Sequence, residues 1–327
     1  MLRYLAKRLA YYLVLLVVSV FLAYALASSA LNPRAYFEEK QPRPSAAAVD
    51  RQLTALNING HTPVVVRFGR WTEDLVVHGD LGRTIHGTSV NADFGRRLLV
   101  SLRLLVIGSL LGMVLGVAIG VWGAVRQYRF SDRALTLVSF VLLSTPVFLL
   151  ALLLKNGAIA LNQATGHQLI NFTGYESPGL KGGLAAHLGD WSVHLLLPTL
   201  SLALIGLATY SRYQRGTMLD VLGSDYLRTA EAKGLTRRQA LLRHGLRTAV
   251  IPMSTLFAYN FLAIFTGATF TEIIFTWHGM GEWFIQSIQE NDTNSVVAVT
   301  LFTAVTVLLS GLLADTLHAA LDPRVRV

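Results

Sequence analysis

The residues best suited to chemistry lie in one basic loop, residues 212–247, and they suit a contact with another molecule. Residues 225–233 have the composition of a short helix. Gly234 follows, as the glycine that often ends a helix in the left-handed conformation. Thr236 and Gln239 have the spacing of a capping box, which predicts a second short helix to about residue 246. Two capped helices joined at a glycine predict a rigid projection, here called the knuckle (residues 225–246).

The basic charge of this loop allows a second interpretation. Eight Lys and Arg residues lie between positions 212 and 247. A basic amphipathic helix lying on anionic lipid would have the same composition. The two caps and the glycine between them favour a shaped contact with another protein.

The sequence contains no pattern typical of a catalytic or metal site. It has no cysteine, which excludes thiolate nucleophiles and cysteine-based zinc sites. The spacing of Gly174 and Gly179 resembles a phosphate-binding loop, but Leu180 stands where that loop needs lysine. Neither HExxH nor GxSxG occurs, and the nine histidines lack metal-ligand spacing. We therefore predict no catalytic residue, no metal ligand and no ATPase site in this chain.

Composition indicates that lipid surrounds much of the chain. Hydrophobic residues make up 53% and charged residues 14%, and the mean hydropathy is +0.48, whereas soluble domains carry about 25% charged residues. A membrane span needs about 20 mostly apolar residues. The predicted spans are residues 9–31, 98–125, 134–154, 194–211, 248–271 and 295–321.

The distribution of Lys and Arg predicts the orientation of these spans. Basic residues are concentrated in the N-terminal tail, in the loop at 126–133 and in the loop at 212–247. The positive-inside rule places these segments, and both termini, in the cytoplasm. Residues 32–93 are then extracytoplasmic. Because topology explains the clustered charge, we predict no nucleic-acid partner.

The first apolar stretch also resembles a secretory signal. Basic residues precede it, and Ala25-Leu26-Ala27 resembles a cleavage site. The stretch continues to residue 31, however, beyond the 7–15 residues typical of a cleaved signal. We interpret it as an uncleaved first span.

Glycines and prolines within the spans predict their packing. Gly108, Gly112, Gly116 and Gly120 recur every four residues, and small residues at this spacing let helices approach closely. Packing within this chain is the favoured interpretation, with a dimer seam or a translocation path as the alternative. Prolines in the spans interrupt backbone hydrogen bonds and predict kinks at Pro146 and Pro252.

The knuckle and several shorter motifs resemble a known family. The main motif is Ala230-x-Ala232-Lys233-Gly234-Leu235, followed by His244, Arg247 and Pro252. It resembles the coupling loop of ABC importer permeases, with the spacing of the peptide/nickel group. Further matches, in order, are Lys7-Arg8, Asn32-Pro33, Gly79-Asp80-Leu81-Gly82, Ser144-x-Pro146-x-Phe148, Leu197-Pro198, Glu272-x-x-Phe275-x-Trp277-x-Gly279-x-Gly281 and Leu321-Asp322-Pro323-Arg324. Together they resemble the first of the two permease subunits of a dipeptide/oligopeptide importer.

The resemblance implies an all-α integral membrane protein with the type I ABC importer permease fold and six transmembrane helices. The implied divisions are an N-terminal transmembrane helix at 1–31, an extracytoplasmic segment at 32–93, a permease core at 94–321 and a cytoplasmic tail at 322–327. The implied location is the inner or plasma membrane of a prokaryote.

The resemblance also implies a function without enzymatic activity of its own. The chain would form half of a translocation pathway for oligopeptides or dipeptides, with nickel-chelate or glutathione as alternative cargo. A membrane sensor is a third alternative, because residues 32–93 carry balanced charge and Trp71. An intramembrane enzyme would need paired ionisable groups, and Arg103, Asn260 and Asp315 form no such pair.

The implied partners are a second homologous permease subunit in a heterodimer, two ATP-binding subunits, an extracytoplasmic peptide-binding protein, the peptide substrate and membrane lipid. This chain would bind no cofactor itself, since ATP and magnesium would sit on the ATP-binding subunits.

The resemblance assigns roles to two groups of residues. Those expected to couple to the ATPase are Arg228, Ala230, Ala232, Lys233, Gly234, Leu235 and His244. Those expected at an outer gate, docking the binding protein, are Glu272, Trp277, Gly279 and Gly281. In the outer loop we also expect Trp277, Trp283 and Phe284 at the membrane interface, and a tight turn at the glycines. His278 departs from the family pattern, which usually has proline there.

Overall fold

The computed structural model describes the backbone of residues 2–321, and their side chains except at 2–7, 254–255, 258–267 and 313–321. Most of the described residues are helical and none of them forms a β-strand, which confirms the predicted all-α class. Lys7, Asn260, Asp315 and the terminal Asp322-Pro323-Arg324 lie outside the residues whose side chains are described.

Thirteen α-helices are assigned in the described part of the chain. They are α1 (Leu2–Ala30), α2 (Pro33–Glu38), α3 (Ala46–Ala55), α4 (Val64–Glu73), α5 (Val90–Val125), α6 (Phe130–Ser144), α7 (Val147–Thr165), α8 (Leu184–Leu222), α9 (Asp225–Ala232), α10 (Arg237–Ala240), α11 (Leu246–Phe275), α12 (Met280–Gln289) and α13 (Thr293–Leu321). Two π-helical turns, Asp74–His78 and Leu241–Gly245, follow α4 and α10.

Several of these helices are long and apolar enough to cross a membrane. Within the residues searched there are five, at Arg8–Ala30, Val90–Val125, Val147–Thr165, Leu184–Leu222 and Thr293–Leu312. The predicted fifth span, 248–271, lies within α11, which is 30 residues long. The predicted spans therefore correspond to α1, α5, the α6–α7 pair, α8, α11 and α13.

The kink predicted at Pro146 is present as a break between two helices within the predicted span 134–154. Helix α6 ends at Ser144, and α7 begins at Val147. Pro146 has no N–H and disfavours helical geometry at the residue before it, so Thr145 is extended, with φ −92° and ψ 121°. By contrast, α8 continues through Pro198 and α11 continues through Pro252.

The backbone falls into two compact units. Unit 1 comprises Met1–Ser101 and His278–Leu309, and unit 2 comprises Leu102–Trp277 and Ser310–Val327. In unit 1, an aromatic cluster holds α4 against α1: Phe21, Tyr24, Phe68 and Trp71 have ring centroids between 5.1 and 6.2 Å apart. The segment between the first two spans also has a packed interior of its own, formed by Phe37, Val49, Leu53, Ile58 and Ile85.

The start of α13 helps to hold that segment in place within unit 1. Asp292 accepts hydrogen bonds from the Ile85 N–H at 3.1 Å and from the Ser295 hydroxyl at 2.7 Å. Asn294 donates to the carbonyls of Leu56 and Arg83. Burial raises the pKa of the Asp292 carboxyl, because desolvation outweighs the hydrogen bonds that favour the charged form.

The glycine row of α5 packs against α8 within unit 2. A Cβ built on Gly112 would lie 3.0 Å from the Ala203 carbonyl oxygen, and one on Gly116 would lie 2.7 Å from the Tyr210 Cβ. A Cβ on Gly120 would lie 2.6 Å from the Ser211 carbonyl oxygen. Only glycine allows these backbones to come so close. Packing within the chain, the favoured interpretation of the row, is thus what the structure shows.

This contact predicts that Gly120→Ala destabilises the chain. The added methyl group would meet backbone atoms of α8, and overpacking of this kind costs about 1–3 kcal/mol. The matched control is Gly157→Ala in α7, where a Cβ meets nothing within 4 Å and loss of glycine stabilises a helix by about 0.5–1 kcal/mol. Thermal unfolding of the purified chain in detergent measures both. Equal midpoints for the two variants would contradict the proposed close contact.

Candidate functional site

The first helix of the knuckle ends in a Schellman motif. Helix α9 is followed by Lys233 and then by Gly234, whose φ is +94°. The Gly234 N–H donates to the Glu231 carbonyl at 2.9 Å, and the Leu235 N–H donates to the Ala230 carbonyl at 3.3 Å. This pair of bonds defines the motif, which requires a residue in the left-handed conformation. The predicted glycine elbow is therefore present.

The predicted capping box is also present, but the second helix does not end where we expected. The Thr236 N–H donates to Gln239 Oε1 at 3.0 Å, and the Gln239 N–H donates to Thr236 Oγ1 at 3.3 Å. Helix α10 then passes through the π-helical turn Leu241–Gly245 directly into α11. The predicted end near residue 246 is wrong, because Gly245 stays helical there, with φ −66° and ψ −52°.

The knuckle has an apolar interior formed with its neighbours in unit 2. Leu227 and Ala230 of α9 are buried together with Ala240 of α10. The same cluster contains residues from the ends of three spans, namely Ala124 of α5, Met218 and Val221 of α8 and Ala249 of α11. A Cβ on Gly245 would lie 3.1 Å from the Val221 side chain, so this glycine permits the close packing. The knuckle is thus one packed body with the ends of the spans.

The residues predicted to couple to an ATPase divide between this interior and the surface. Ala230 is buried and Leu235 is partly buried, and both pack in the interior cluster. Arg228, Ala232, Lys233, Gly234 and His244 are exposed. Our expectation that Ala230 itself lies on the contact face is wrong, because its side chain faces Leu227 and Ala240.

The exposed face of α9 contains two residues that the sequence analysis did not select. Tyr226 is 42% exposed, and Thr229 is exposed beside it. With Lys233 they follow the i, i+3, i+7 spacing of one helix face. Burial of Leu227 and Ala230 leaves this stripe outward, so the amphipathic pattern was a signal that could have identified it. The ion pair of Arg228 with Asp225, at 3.7 Å, is too exposed to contribute much.

An ion pair fixes α6 to α8 below the knuckle, within unit 2. Arg215 donates from Nε and Nη2 to the two carboxylate oxygens of Asp132 at 2.6 and 2.8 Å. The Tyr128 N–H adds a hydrogen bond at 2.9 Å. The hydrogen bonds from Arg215 lower the pKa of Asp132 below its ordinary value of 3.8, against the opposing effect of burial. A bidentate pair of this kind fixes orientation as well as distance.

The outer residues Glu272 and Trp277 belong to unit 2 and are buried. Helix α11 ends at Phe275, and the Trp277 N–H donates to the Glu272 carbonyl at 2.8 Å. Trp277 is fully buried, with its ring 6.5 Å from that of Tyr175. The expectation that Trp277 lies at the membrane interface is wrong, because its ring is enclosed by protein.

The outer glycines belong to unit 1 and do not form the expected turn. Gly279 caps the N-terminus of α12 with φ −89°, and Gly281 lies inside that helix. The residues with positive φ are instead Thr276, at 52°, and His278, at 53°. The His278 N–H, which lies just before α12, donates to Glu282 Oε2 in the first turn of that helix at 2.7 Å. Trp283 is also buried, contrary to the interfacial position we expected.

The searched part of the chain contains no cluster of three or more His, Asp or Glu side chains that could hold a metal ion. What the described residues present at the knuckle is an exposed protein surface on α9. Its exposed groups suit contact with an acidic or hydroxyl-bearing groove.

Comparison with known proteins places this chain in a family. A family model described as binding-protein-dependent transport system inner membrane component matches residues 112–327. The chain is 54% identical over 327 residues, 100% of both chains, to the oligopeptide transport system permease protein OppB of Mycobacterium tuberculosis (strain ATCC 25618 / H37Rv). It is 33% identical over 285 residues to the oligopeptide transport system permease protein AppB of Bacillus subtilis (strain 168), covering 86% of this chain and 87% of that one. It is 31% identical over 264 residues to the dipeptide transport system permease protein DppB of Escherichia coli (strain K12), covering 77% and 78%.

The pair of Asp132 and Arg215 predicts an asymmetric response to mutation. Arg215→Gln leaves a carboxylate that is 4% exposed without its main partner, whereas Asp132→Asn leaves a guanidinium that is 28% exposed and can reach water. We expect Arg215→Gln to cost up to about 3 kcal/mol and Asp132→Asn clearly less. Thermal unfolding in detergent at pH 7 compares the two variants, and the reverse order would contradict this account.

The same pair predicts a dependence on pH. Because the folded pKa of Asp132 is lowered from 3.8, its contribution is complete above pH 3.8 and is lost as the pH falls through the lowered value. The stability advantage of the wild-type chain over Asp132→Asn should therefore be constant at neutral pH and shrink in acid. An advantage that grew as the pH fell from 4 would contradict it.

Proposed function

Because this chain belongs to the family of binding-protein-dependent transport system inner membrane components, it is a permease subunit of a multi-component membrane transporter, and we propose that it forms half of the translocation pathway of an ATP-driven peptide importer. The observation that carries the coupling role is the knuckle, whose interior joins the ends of α5, α8 and α11 while one face of α9 stays exposed. Peptide cargo is supported by the names of the related permeases. Nickel-chelate, glutathione and a sensor role have no comparable support.

The rest of the transporter is supplied by other polypeptides in this proposal. They are a second homologous permease subunit forming a heterodimer, two ATP-binding subunits and an extracytoplasmic peptide-binding protein. ATP and magnesium are held by the ATP-binding subunits. The chain is multi-pass in the inner membrane, and both termini face the cytoplasm in the proposed orientation.

The exposed stripe of α9 is the proposed contact with an ATP-binding subunit. Small Ala232 allows close approach, while Tyr226 and Lys233 supply an aromatic ring and a charge. Arg228 and His244 lie exposed beside them. Tyrosine is enriched among the residues that carry most of the binding energy of an interface, and an ammonium group can pair with an acidic group of the partner.

Movement of the knuckle can reach the spans by two physical links. The first is the apolar cluster, through which α9 packs on Met218 and Val221 of α8. The second is covalent, because α10 continues through the π-helical turn into α11. A packed body moves as a unit, since close-packed interiors transmit displacement. Closure of the ATP-binding subunits on α9 would therefore shift α8 and α11 together.

The outer loop is proposed to contribute to the outer gate and to docking of the binding protein. Its acidic residues support a contact with a basic partner surface, because Glu282 and Glu290 are only partly buried. The buried Glu272, Trp277, Gly279 and Gly281 would shape this region through their packing. Their proposed role is to position the loop.

The proposed orientation predicts which sites an impermeant thiol reagent can reach. The chain has no cysteine, so single cysteines report without background. Arg43→Cys, in the segment between α2 and α3, and Gln289→Cys, at the end of α12, should be labelled in intact cells. Lys233→Cys in the knuckle should be labelled only after the membrane is opened. Labelling of Lys233→Cys in intact cells would overturn the orientation.

The proposed coupling surface predicts different effects at two alanines of α9. Ala232→Trp adds bulk on the exposed face, so it should reduce peptide-stimulated ATPase activity by about tenfold, without lowering the thermal stability of the isolated chain. Ala230→Trp overpacks the buried cluster and should lower stability itself by about 1–3 kcal/mol. The ATPase assay uses the chain reconstituted with its partner subunits.

A second matched pair in the same experiment tests the glycine elbow. Gly234→Ala forces a Cβ into φ +94°, at a cost of about 1 kcal/mol, and should re-aim α9. Gly223→Ala is the control, because φ is −84° there and the nearest atom to a Cβ is 3.7 Å away. If Ala232→Trp and Gly234→Ala both retained full coupling, the coupling assignment would be wrong. A lipid-facing role for the loop would then be the better account.

A further inference from the structure

A cavity of about 300 Å³ lies within unit 1, at the junction of α1, α2 and the start of α13. It is lined by apolar side chains such as Leu53 and Ile58 and by polar ones such as Ser28, Arg67 and Thr293. Its volume is at the lower end of the range for small-molecule sites, which is about 300–1,000 Å³. None of the residues assigned to coupling or to the outer gate lines it.

Arg67 is the unusual member of the lining. It is 4% exposed, yet no carboxylate among the described residues pairs with its guanidinium. Its Nε donates to the Thr62 carbonyl at 3.1 Å, and its two terminal nitrogens donate to no group in the described chain. Charged side chains are almost never buried to this extent without a partner.

The fold holds Arg67 firmly in this position. It lies one helical turn before Trp71, on the buried face of α4. Trp71 donates from Nε1 to the Leu81 carbonyl at 3.1 Å, and Phe68 packs edge-on against Phe21 of α1. The Arg67 carbonyl itself accepts from Asn57 Nδ2 at 2.9 Å. These contacts fix the backbone at Arg67, and the bond from its Nε to the Thr62 carbonyl holds the side chain at the cavity.

The other charged groups at the cavity are already neutralised. Arg34 forms an ion pair with Asp50. Asn59 is committed to structure, since its side chain donates to Thr54 Oγ1 at 2.8 Å and accepts from the His61 N–H at 3.0 Å. The cavity therefore has one uncompensated positive charge, on Arg67.

We propose that this cavity is a binding site for a small carboxylate, such as the terminal carboxylate of an amino acid or a very short peptide. A planar carboxylate accepts two parallel hydrogen bonds from a guanidinium, and one negative charge balances the single charge of Arg67. Leu53 and Ile58 provide an apolar wall for the organic part of the ligand. A phosphate dianion would leave excess negative charge, and a cation would be repelled. The proposal does not depend on the cargo of the transporter.

The test compares an acid with its amide on the purified full-length chain. N-acetylalanine and N-acetylalaninamide have the same shape and differ in the charge of one group, and calorimetric titration measures their affinities. The acid should bind about 10- to 100-fold more tightly, because hydrogen bonds to a charged group are lost in the amide. Equal affinities would overturn the proposal. Equal binding of inorganic phosphate would also overturn it, by showing an unspecific anion site.

Variants then locate the site. Arg67→Lys keeps the charge but removes the planar fork, so it should weaken binding of N-acetylalanine by about tenfold or more. The matched control is Arg70→Lys, on the exposed face of the same helix, which should bind as the wild type does. Full affinity in Arg67→Lys, measured on folded protein, would place the carboxylate elsewhere and refute the inference.

Discussion

Close packing between α5 and α8 is the constraint on which unit 2 depends. Lipid supplies no hydrophobic force between helices, so their association rests on van der Waals contact and on polar pairs. The glycines of α5 let the backbones meet, with Gly120 at the Ser211 carbonyl of α8. One turn further along α8, Arg215 binds Asp132 of α6. The same helix then ends in the apolar cluster of the knuckle. Helix α8 thus connects the spans to the exposed surface at which coupling is proposed.

The knuckle is rigid for two reasons. Its backbone polar groups are hydrogen-bonded within the knuckle, and its apolar side chains are buried against the ends of the spans. The Schellman motif and the capping box provide hydrogen bonds for backbone groups that would otherwise be unpaired at the ends of two short helices. Leu227 and Ala230 would not form a core on their own, but they complete one with Met218 of α8. A helix of eight residues is unstable in water by itself. Its stability therefore depends on the spans, which is the condition for transmitting movement to them.

Much of this architecture could be predicted from the sequence, because it rests on local patterns. The length of the apolar stretches predicted the spans, and Gly234 predicted the turn after α9. The spacing of Thr236 and Gln239 predicted the capping box. Prolines were harder: Pro146 separates α6 from α7, while Pro198 and Pro252 lie within continuous helices, since neighbouring helices decide whether the freed carbonyls are satisfied. The inward direction of Ala230, the burial of Trp277 and the isolated charge of Arg67 all depend on tertiary packing. No spacing within a single segment contains that information.

Two helix ends in unit 2 show how differently the same local geometry can be maintained. At the knuckle, the left-handed residue is Gly234, which is exposed and has no atom within 4 Å of a would-be Cβ. At the end of α11 it is Thr276, with φ 52°, although a β-branched residue is strained there. Such strain persists only where surrounding contacts impose it. Here they are the buried ring of Trp277 and the bond from the Gly174 N–H to the Phe275 carbonyl at 2.9 Å. The left-handed turn at Gly234 therefore needs no neighbouring segment to impose it, whereas the turn at Thr276 is maintained by its contacts with Trp277 and with the loop containing Gly174.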